Sequence, residues 1–443
     1  MTFSGCRIMV NLHHDQELSM EPIQAPIAPA QELSDKAKLF LRNLCGRFGA
    51  PNLTNWHNYV NTIEQRAYVI NLKNLNDANT ILKEVFDFNK SSGERRICVV
   101  PVAGYPSKYP SEGCSPLDLF SSEARSERIK GEFAGGSYSI AELSTAKNAD
   151  IILRVTEAAQ TIRFYTKEGR QFVAVSPGVT FEKMESECAK RGLAPTCEGP
   201  PTIQKVTAVG LTSNGGFGPD LEQETVSTFI EEMVVIDPVT GKDKVLSKEK
   251  NTAEFRAFRD AHLGTLFVKE QSYPVEKAYN MERVHTLYKN FDELEAAFKQ
   301  ESQLSKPHFI FMWVPLPGKD MFQIRTTRFA RTDKKETGCK NGNFGPWSNI
   351  MKAEAAEGLI DKITRSPLLF PFYNFILEFA AKTNFGDKRE VKEVAPVAKA
   401  VHVFDSYSEN AFRDLNLFIR VSSPKEAEEI LLDLGRLIWN KCI

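Results

Sequence analysis

A run of small residues at positions 207–219 is the part of this sequence best suited to binding a phosphate group. Glycine lets the backbone approach a ligand closely, and successive N–H groups in such a turn form a concave site for anions. No Lys follows the last glycine, which excludes a Walker loop, and Pro219 follows where a dinucleotide-binding motif would open a helix. The alternative is an ordinary tight turn. The candidate ligand-binding residues are Thr207, Gly210, Leu211, Thr212, Ser213, Asn214, Gly215, Gly216 and Gly218.

Two other short segments of small residues each follow a predicted buried strand. The nearly continuous apolar run at 96–102 is typical of a buried parallel strand. Loops that leave strand ends within one domain can face each other and bind a diphosphate through backbone N–H groups, without a Lys. The residues of these two segments that we expect to contact the ligand are Gly104, Tyr105, Pro106, Ser107, Pro177 and Gly178.

The elements that must position these loops divide the chain into three parts. Residues 1–33, rich in Pro, Ala and Gln at their end, are predicted to be a flexible N-terminal segment. Alternating helix and strand patterns predict a two-lobed α+β domain at 34–272, in which 203–209 and 227–237 are strands. Residues 273–443 predict a second α+β domain, whose antiparallel sheet contains a strand at 309–315 and its partner at 321–330.

Composition excludes several classes of protein. The chain has 443 residues, 42% of them hydrophobic, and a net charge of −1, so no overall positive field would recruit nucleic acid. Its eight cysteines form no Cys-x-x-Cys pair and its seven histidines show no zinc spacing, so no metal site is expected. The absence of a long apolar run and of a signal-peptide pattern predicts a cytoplasmic protein without a transmembrane segment.

The order of these segments resembles the vanillyl-alcohol-oxidase-type flavoproteins, whose FAD-binding domain is called the PCMH type. Within that family the sequence looks most similar to the sugar-lactone and alditol oxidases. Their N-terminal Asn-Trp segment resembles residues 53–56, and the Trp-x-Pro strand of their substrate domain resembles residues 311–315. The segments that carry the wider resemblance are 102–107, 176–180, 191–195, 207–211 and 261–268.

The resemblance implies a cofactor and a reaction. The glycine segments would bind the pyrophosphate of FAD, and Gly264, Phe267 and Val268 would lie by its adenine and ribose. The flavin ring would lie at the interface with the second, substrate-binding (cap) domain, and a small polar alcohol or sugar lactone would pass a hydride to it. Oxygen or another acceptor would reoxidise the flavin. Because Tyr105 stands where the family often has His, and residues 210–219 contain no His, the FAD is expected to be noncovalent.

Arg325 is the candidate catalytic residue. A guanidinium beside the flavin would stabilise negative charge on the reduced ring. Strand alternation places residues 323, 325 and 327 on one face and Arg328 on the other, so at most one of the two arginines points into a site. A solvated strand edge is the alternative for each arginine.

Other candidate residues have ordinary structural interpretations. Trp313 would belong either to the substrate face or to the core, and His308 and His402 would be either general bases or structural residues. The charged run at 388–393 is predicted to be a solvated surface segment.

Two departures from the family keep other functions open. The Glu-x-Arg signature of the family has no clear counterpart, because Gln323 precedes Arg325 and Phe418 precedes Arg420 where a Glu would stand. The C-terminal segment that often carries His and Lys toward the flavin would lie beyond Ile443. These departures favour, as the alternative, a catalytically impaired flavoprotein-like scaffold that binds a partner. A nucleotide-binding regulatory protein is a third hypothesis.

Overall fold

The structure is a computed structural model. It describes residues 6–12, 32–57, 64–93, 95–103, 149–197, 206–213, 215–216, 218, 225–261, 267–300, 308–313, 324–337, 390–401, 415–421 and 423–442. Among these residues, no helix has the length and apolar character needed to cross a membrane.

The described helices and strands are numbered separately in chain order. The strands are β1 (Cys6–Leu12), β2 (Thr54–His57), β3 (Glu64–Leu72), β4 (Val99–Ala103), β5 (Ile151–Val155), β6 (Ile162–Lys167), β7 (Arg170–Val175), β8 (Leu193–Pro195), β9 (Glu232–Asp237), β10 (Lys242–Ser247), β11 (Val268–Lys277), β12 (Asn280–Tyr288), β13 (His308–Trp313), β14 (Ile324–Thr332), β15 (Glu390–Pro396) and β16 (Leu415–Val421). The helices are α1 (Asp35–Arg47), α2 (Asn76–Ser92), α3 (Phe181–Ala189), α4 (Ala208–Ser213), α5 (Thr252–Ala261), α6 (Phe291–Gln300), α7 (Val397–Ala400) and α8 (Pro424–Cys442).

The first lobe is a four-stranded sheet in the order β2-β3-β5-β4, in which β3, β5 and β4 are parallel. Ser34 caps α1, because its hydroxyl accepts a hydrogen bond of 3.1 Å from the Ala37 N–H. Leu41 of α1, Ile81 of α2 and Ile151 of β5 share one buried cluster. The carboxyl ends of the three parallel strands therefore meet at one edge, where β4 leads into the first predicted loop.

The second lobe is an antiparallel sheet in the order β10-β9-β11-β7-β6, with β8 paired to β11. Helices α3, α4 and α5 contribute to the core beside it, which contains Phe181, Ala208 and Phe255. The predicted strand at 227–237 begins only at Glu232, because residues 226–229 form a 3₁₀ turn. Strand β11 continues through the predicted domain boundary at 272/273 as far as Lys277, and the boundary itself stays a prediction.

The third sheet is antiparallel in the order β13-β14-β12-β15, and the predicted pairing of its first two strands is confirmed. Helices α6 and α8 cover one side of this sheet, where Leu294 of α6 and Leu431 of α8 share a buried cluster with Ile324 of β14. The structure thus has the predicted α+β architecture, with an antiparallel sheet in its second part.

Two pairings between distant strands were not predicted. Within the segment predicted to be flexible, Cys6–Leu12 forms strand β1, which pairs in parallel with β16. Residues 390–393 of the run predicted to be solvated begin strand β15, which pairs with β12, while the side chains of Glu390 and Lys392 are exposed as predicted. In both cases the partner strand is distant in the sequence, and local charge and composition do not report such pairing.

Candidate functional site

Two of the predicted glycine segments are hydrogen-bonded to each other. The Ala208 N–H donates to the Val179 oxygen at 2.9 Å, and the Phe181 N–H donates to the Val206 oxygen at 3.0 Å. Thr180 and Thr207 form an isolated antiparallel bridge between these contacts. The Pro177–Gly178 turn and the start of the 207–218 segment therefore lie side by side, as a shared diphosphate site requires.

Gly178 connects this pair of segments to the edge of the first lobe. Its φ is +87°, and a Cβ added to it would lie 3.1 Å from Gln160 Nε2 and 3.5 Å from Val155 Cγ1. Gln160 Nε2 also donates to the Gly178 oxygen at 2.9 Å. Val155 ends β5 in register with Ala103, the last residue of β4. The first predicted loop therefore follows directly after Ala103, which pairs with Val155, and Val155 lies beside Gly178.

The glycine-rich segment itself differs from its prediction. Residues 208–213 form helix α4 rather than the end of a strand and an open loop. The N–H groups of Leu211, Gly215 and Gly216 donate within the chain, to the oxygens of Thr207, Thr212 and Leu211, at 2.9, 3.1 and 2.8 Å. These three N–H groups therefore serve local structure in this conformation, and only Gly215 of the described glycines here has a positive φ, of +62°.

Tertiary contacts explain why this segment turns into a helix. Thr212 Oγ1 donates back to the Ala208 oxygen at 3.0 Å and contacts Gln271 Oε1 at 2.8 Å. Gln271 Oε1 also accepts a hydrogen bond of 2.8 Å from the Tyr273 hydroxyl, whose pKa is raised by burial. The Gln271 Nε2 group is buried and has no hydrogen-bond partner among the described residues. A buried amide donor thus lies beside the glycine-rich segment.

The remaining predicted cofactor residues fall into two groups. Phe267 and Val268 are buried at the start of β11, where Phe267 belongs to the core of the first lobe and Val268 to that of the second. Gly218 is buried. The predicted residues Gly104, Tyr105, Pro106, Ser107, Asn214 and Gly264, and the candidate base His402, lie outside the described residues.

Arg325 lies on one face of the third sheet, which we call the arginine face, and Arg328 lies on the other, as the alternation predicts. Strand register places Leu287 opposite Arg325, His285 opposite Thr327, and Arg283 opposite Phe329. The residues of the arginine face used below are Met281, Arg283, His285, Leu287, Arg325, Thr327, Phe329, Glu393 and Ala395.

One end of the arginine face packs on the second lobe. Met281, Phe329 and Ala395 share an apolar cluster with Ala194 of β8 and with Ala400 of α7. The polar residues continue this face along the strands beyond the apolar contact. The arginine face is thus turned toward the part of the chain that contains the glycine segments.

Arg325 is buried and hydrogen-bonded to a histidine of the neighbouring strand β12. Its side chain is 3% exposed, and its Nη2 donates to His285 Nδ1 at 2.9 Å. His285 Nδ1 in turn lies 2.9 Å from Thr327 Oγ1. Burial, followed by the positive charge of Arg283, lowers the pKa of Arg325, while Glu393 acts in the opposite direction. The solvated strand edge considered for Arg325 is therefore excluded.

Arg283 is the second buried guanidinium of this face, and it has a structural role. Its Nε and Nη2 donate to Glu393 Oε2, the former at 3.2 Å, and its Nη1 donates to the Ala400 oxygen at 3.2 Å. These bonds join β12 to β15 and to α7. His308 is buried on β13, whereas the side chain of Trp313 lies outside the described residues.

Sequence reasoning missed Arg283, His285 and Glu393. In β12 the in-phase positions 281, 283, 285 and 287 mix apolar and charged residues, so the usual alternation of apolar and polar side chains is absent. A weaker signal was available, because the apolar residues Met281 and Leu287 lie on the same face of β12. An Arg and a His between them, in that phase, indicate a polar group on a buried face.

Comparisons with known proteins agree with this geometry. A family model described as an FAD binding domain matches residues 120–245, a range that includes both the Pro177–Gly178 turn and the 207–218 segment. No curated protein matches the chain.

Solved structures of cholesterol oxidases share the fold. The enzyme from Brevibacterium sterolicum and its histidine-to-alanine mutant each match with a TM-score of 0.57 and 12% sequence identity, over 88% of this chain and 68% of that chain. A solvent-stable cholesterol oxidase matches with a TM-score of 0.54 and 12% identity, over 87% of this chain and 69% of that chain. The family model confirms the predicted cofactor, FAD, while its noncovalent binding and the nearer resemblance to sugar-lactone and alditol oxidases stay predictions. The chain contains an FAD-binding domain, and its α+β architecture is the fold of these cholesterol oxidases.

Proposed function

We propose that this protein is an FAD-dependent oxidoreductase that oxidises a CH–OH group of an alcohol or sugar-lactone type substrate. The observation that carries the proposal is the buried Arg325, bonded to His285, on a sheet face turned toward the FAD-binding domain. When bound, FAD supplies the acceptor for a hydride from the substrate carbon. The protein's own task is to bind and orient both molecules and to stabilise charge.

The described residues fit a diphosphate at the junction of the glycine segments. Gly178 has a backbone conformation that favours glycine, and the bridge between Thr180 and Thr207 brings the two segments together. The first loop starts from Ala103 at the same edge. The buried Nε2 of Gln271, for which the described residues provide no hydrogen-bond partner, adds an amide donor beside the second segment. We assign the pyrophosphate of FAD to this junction.

Arg325 would act by charge. A guanidinium only donates hydrogen bonds and carries a positive charge, and in a site that excludes water such a charge acts strongly on a neighbouring anion. We infer that it stabilises the negative charge that the flavin gains on reduction and helps to hold the substrate oxygen. Thr327 lies beside it on the same face, within hydrogen-bond distance of His285.

The proposed substrate class rests on the sequence resemblance to sugar-lactone and alditol oxidases and on the structural similarity to cholesterol oxidases, since the substrates of both groups contain a CH–OH group. Sugar lactones and alditols carry an oxidisable CH–OH group, and cholesterol, named for the structurally similar enzymes, carries one as well. The polar arginine face favours a small polar substrate. Oxygen or another acceptor would then take the electrons from the flavin.

The visible absorption spectrum of the purified protein is the first test. Oxidised flavin bands separate an FAD enzyme from a nucleotide-binding regulatory protein, and acid precipitation should release the colour to the supernatant. Colour that stays in the pellet would contradict noncovalent binding. Anaerobic mixing with alditols, sugar lactones and cholesterol should then bleach the flavin with one of the three.

A pair of arginine variants tests the site. We expect Arg325→Ala to slow flavin reduction at least about tenfold while FAD stays bound, which corresponds to about 1.4 kcal/mol of transition-state stabilisation. Arg328→Ala is the matched control, because this side chain lies on the opposite face, 3.9 Å from Glu390, and should leave reduction unchanged. No bleaching by any substrate, with FAD bound, would favour the impaired scaffold.

A further inference from the structure

The first and second lobes meet at a polar contact centred on Lys269. Two adjacent residues of β9, Val235 and Val234, pair with Val268 and Glu270 of β11. Lys269 is therefore an extra residue in β11, and a bulge of this kind bends a strand and redirects a side chain. The Lys269 side chain is only 11% exposed, so the irregularity directs a largely buried cation to the boundary between the lobes.

The ammonium group of Lys269 is bound from both lobes. Its Nζ donates to Asn76 Oδ1 at 2.8 Å and lies 3.2 Å from Asn79 Oδ1, both on α2 of the first lobe. The same Nζ lies 2.8 Å from Asp243 Oδ2 on β10 of the second lobe. Asn79 Nδ2 in turn donates to Asp243 Oδ1 at 2.8 Å and to the Gly241 oxygen at 3.0 Å. We call these five residues the lobe contact.

The backbones of the two lobes also approach each other closely at the lobe contact. Gly241 has a φ of +67°, and a Cβ added to it would lie 2.9 Å from Lys83 Cβ and 3.4 Å from the Asn79 oxygen of α2. These are the first carbon of a side chain and a helix backbone atom, neither of which can turn aside. A side chain at position 241 would therefore push α2 and the turn between β9 and β10 apart.

The lobe contact lies near the sheet edge that leads into the FAD loops. Leu72 ends β3, and α2 begins at Asn76. The Thr156 N–H and hydroxyl donate to the Leu72 oxygen at 3.1 and 2.8 Å. The end of β3 therefore lies beside the end of β5, where Val155 is next to Gly178. The start of α2 and the junction of the glycine segments thus belong to the same edge of the first lobe.

A diphosphate bound by loops of both lobes requires a fixed spacing between the lobes. A site that is already ordered loses less entropy when its ligand binds. We propose that Lys269 is a positioning residue for FAD, which holds the two lobes at the spacing that the cofactor needs. This inference rests on the proposed function, because it uses the assignment of the pyrophosphate to the junction of the glycine segments. It assigns Lys269 no contact with FAD.

The first test removes the cation. Lys269→Met keeps a long side chain without the ammonium group, and titration of the apoprotein with FAD, followed by flavin fluorescence, should show a Kd raised at least about tenfold, or about 1.4 kcal/mol. Lys244→Met is the matched control. It removes one positive charge beside Asp243, but the carboxylate partner of Lys244, Glu254, lies in the same lobe, so the Kd should stay at the parent value.

The second test changes the spacing and leaves the lysine in place. Gly241→Ala should also raise the Kd at least about tenfold. Gly93→Ala is its control, because Gly93 has the same φ of +67° and a Cβ there meets no described atom within 4 Å. The double variant Gly241→Ala/Lys83→Gly moves the Cβ to the other side of the contact, and it should recover most of the lost affinity.

This recovery separates spacing from stability. A glycine inside a helix destabilises it by about 1 kcal/mol, so a variant that binds FAD poorly only because it is less stable would become worse with Lys83→Gly. Urea unfolding of the apoproteins, measured alongside, gives the stability of each variant. A Kd that Lys83→Gly does not improve would overturn the spacing argument.

The outcomes distinguish this inference from the function on which it rests. If Lys269→Met binds FAD with the parent Kd while Gly178→Ala does not, the positioning role is wrong and the FAD junction stands. If only Lys269→Met weakens binding and Gly241→Ala does not, Lys269 acts on FAD directly and the positioning role is again wrong. If the parent protein binds no FAD, the inference and the proposed function are both wrong. If Lys269→Met does not fold, Gly241→Ala and its recovery by Lys83→Gly decide.

Discussion

Gly178→Ala should weaken FAD binding, and Gly192→Ala provides a matched control. Both glycines have a positive φ, +87° at Gly178 and +66° at Gly192, so an alanine at either position carries backbone strain of about 1–2 kcal/mol. A Cβ at Gly192 meets nothing within 4 Å, whereas at Gly178 it meets Gln160 Nε2 at 3.1 Å. The two variants therefore share the strain and differ in the close approach.

The magnitude at Gly178 has two parts. In the apoprotein, displacement of Gln160 disturbs its 2.9 Å bond to the Gly178 oxygen, which adds about 0.5–1.5 kcal/mol to the strain. We therefore expect the free energy of unfolding to fall by about 1.5–3.5 kcal/mol for Gly178→Ala and by about 1–2 kcal/mol for Gly192→Ala. If the displaced turn also loses one hydrogen bond to a charged phosphate, worth about 1.5–3 kcal/mol, the Kd for FAD rises roughly 10- to 150-fold.

The assay is titration of each apoprotein with FAD, followed by flavin fluorescence, together with urea unfolding of the apoproteins. We expect Gly192→Ala to bind FAD with the Kd of the parent protein. Equal Kd values for the two alanine variants would show that the Gly178 turn is not part of the FAD site, whatever their stabilities. The unfolding data show whether a weaker Kd merely follows a general loss of structure.

Three further predictions concern stability and reactivity. Glu393→Gln should lower the free energy of unfolding by about 2 kcal/mol, because it removes a carboxylate that accepts hydrogen bonds from the buried Arg283. Glu282→Gln, which breaks an exposed pair, should cost less than about 1 kcal/mol in the same urea titration. Because the pKa of His285 is lowered in the folded state, the unfolded state takes up a proton on this histidine first as the pH falls. Below about pH 6.5 the free energy of unfolding of the parent protein should therefore fall, relative to that of His285→Asn, by up to about 1.4 kcal/mol per pH unit. Parallel pH profiles of unfolding for the two proteins would contradict this. Burial raises the pKa of Cys188 to about 12, so its thiolate fraction at neutral pH is roughly 1,000-fold below that of a free cysteine, and peptide mapping after brief iodoacetamide treatment should find it unmodified until the protein is unfolded.

Local signals are sufficient for the elements whose ends and faces are determined by neighbouring residues. Ser34 caps α1 because its hydroxyl reaches an N–H three residues on, and Pro424 opens α8 because its ring suits the first helical turn. The buried strand at 96–102 pairs in parallel, as its apolar run indicates. The strand end and open loop predicted for residues 207–213 are wrong, because the helix found there depends on contacts with Val179 and Gln271, both distant in sequence.

Arg325 was predicted as the candidate catalytic residue from strand β14 alone, whereas its contacts depend on both β12 and β14. Alternation along β14 is enough to separate Arg325 from Arg328, since successive side chains point to opposite faces. It does not reveal that His285 holds Arg325, because that requires the register between β12 and β14. A shift of one residue would bring Val284 or Thr286 opposite Thr327 and turn His285 to the other face. The register is fixed by Met281, Phe329 and Ala395, which must be buried against the second lobe, so the apolar end of the arginine face determines which polar groups meet at the other end.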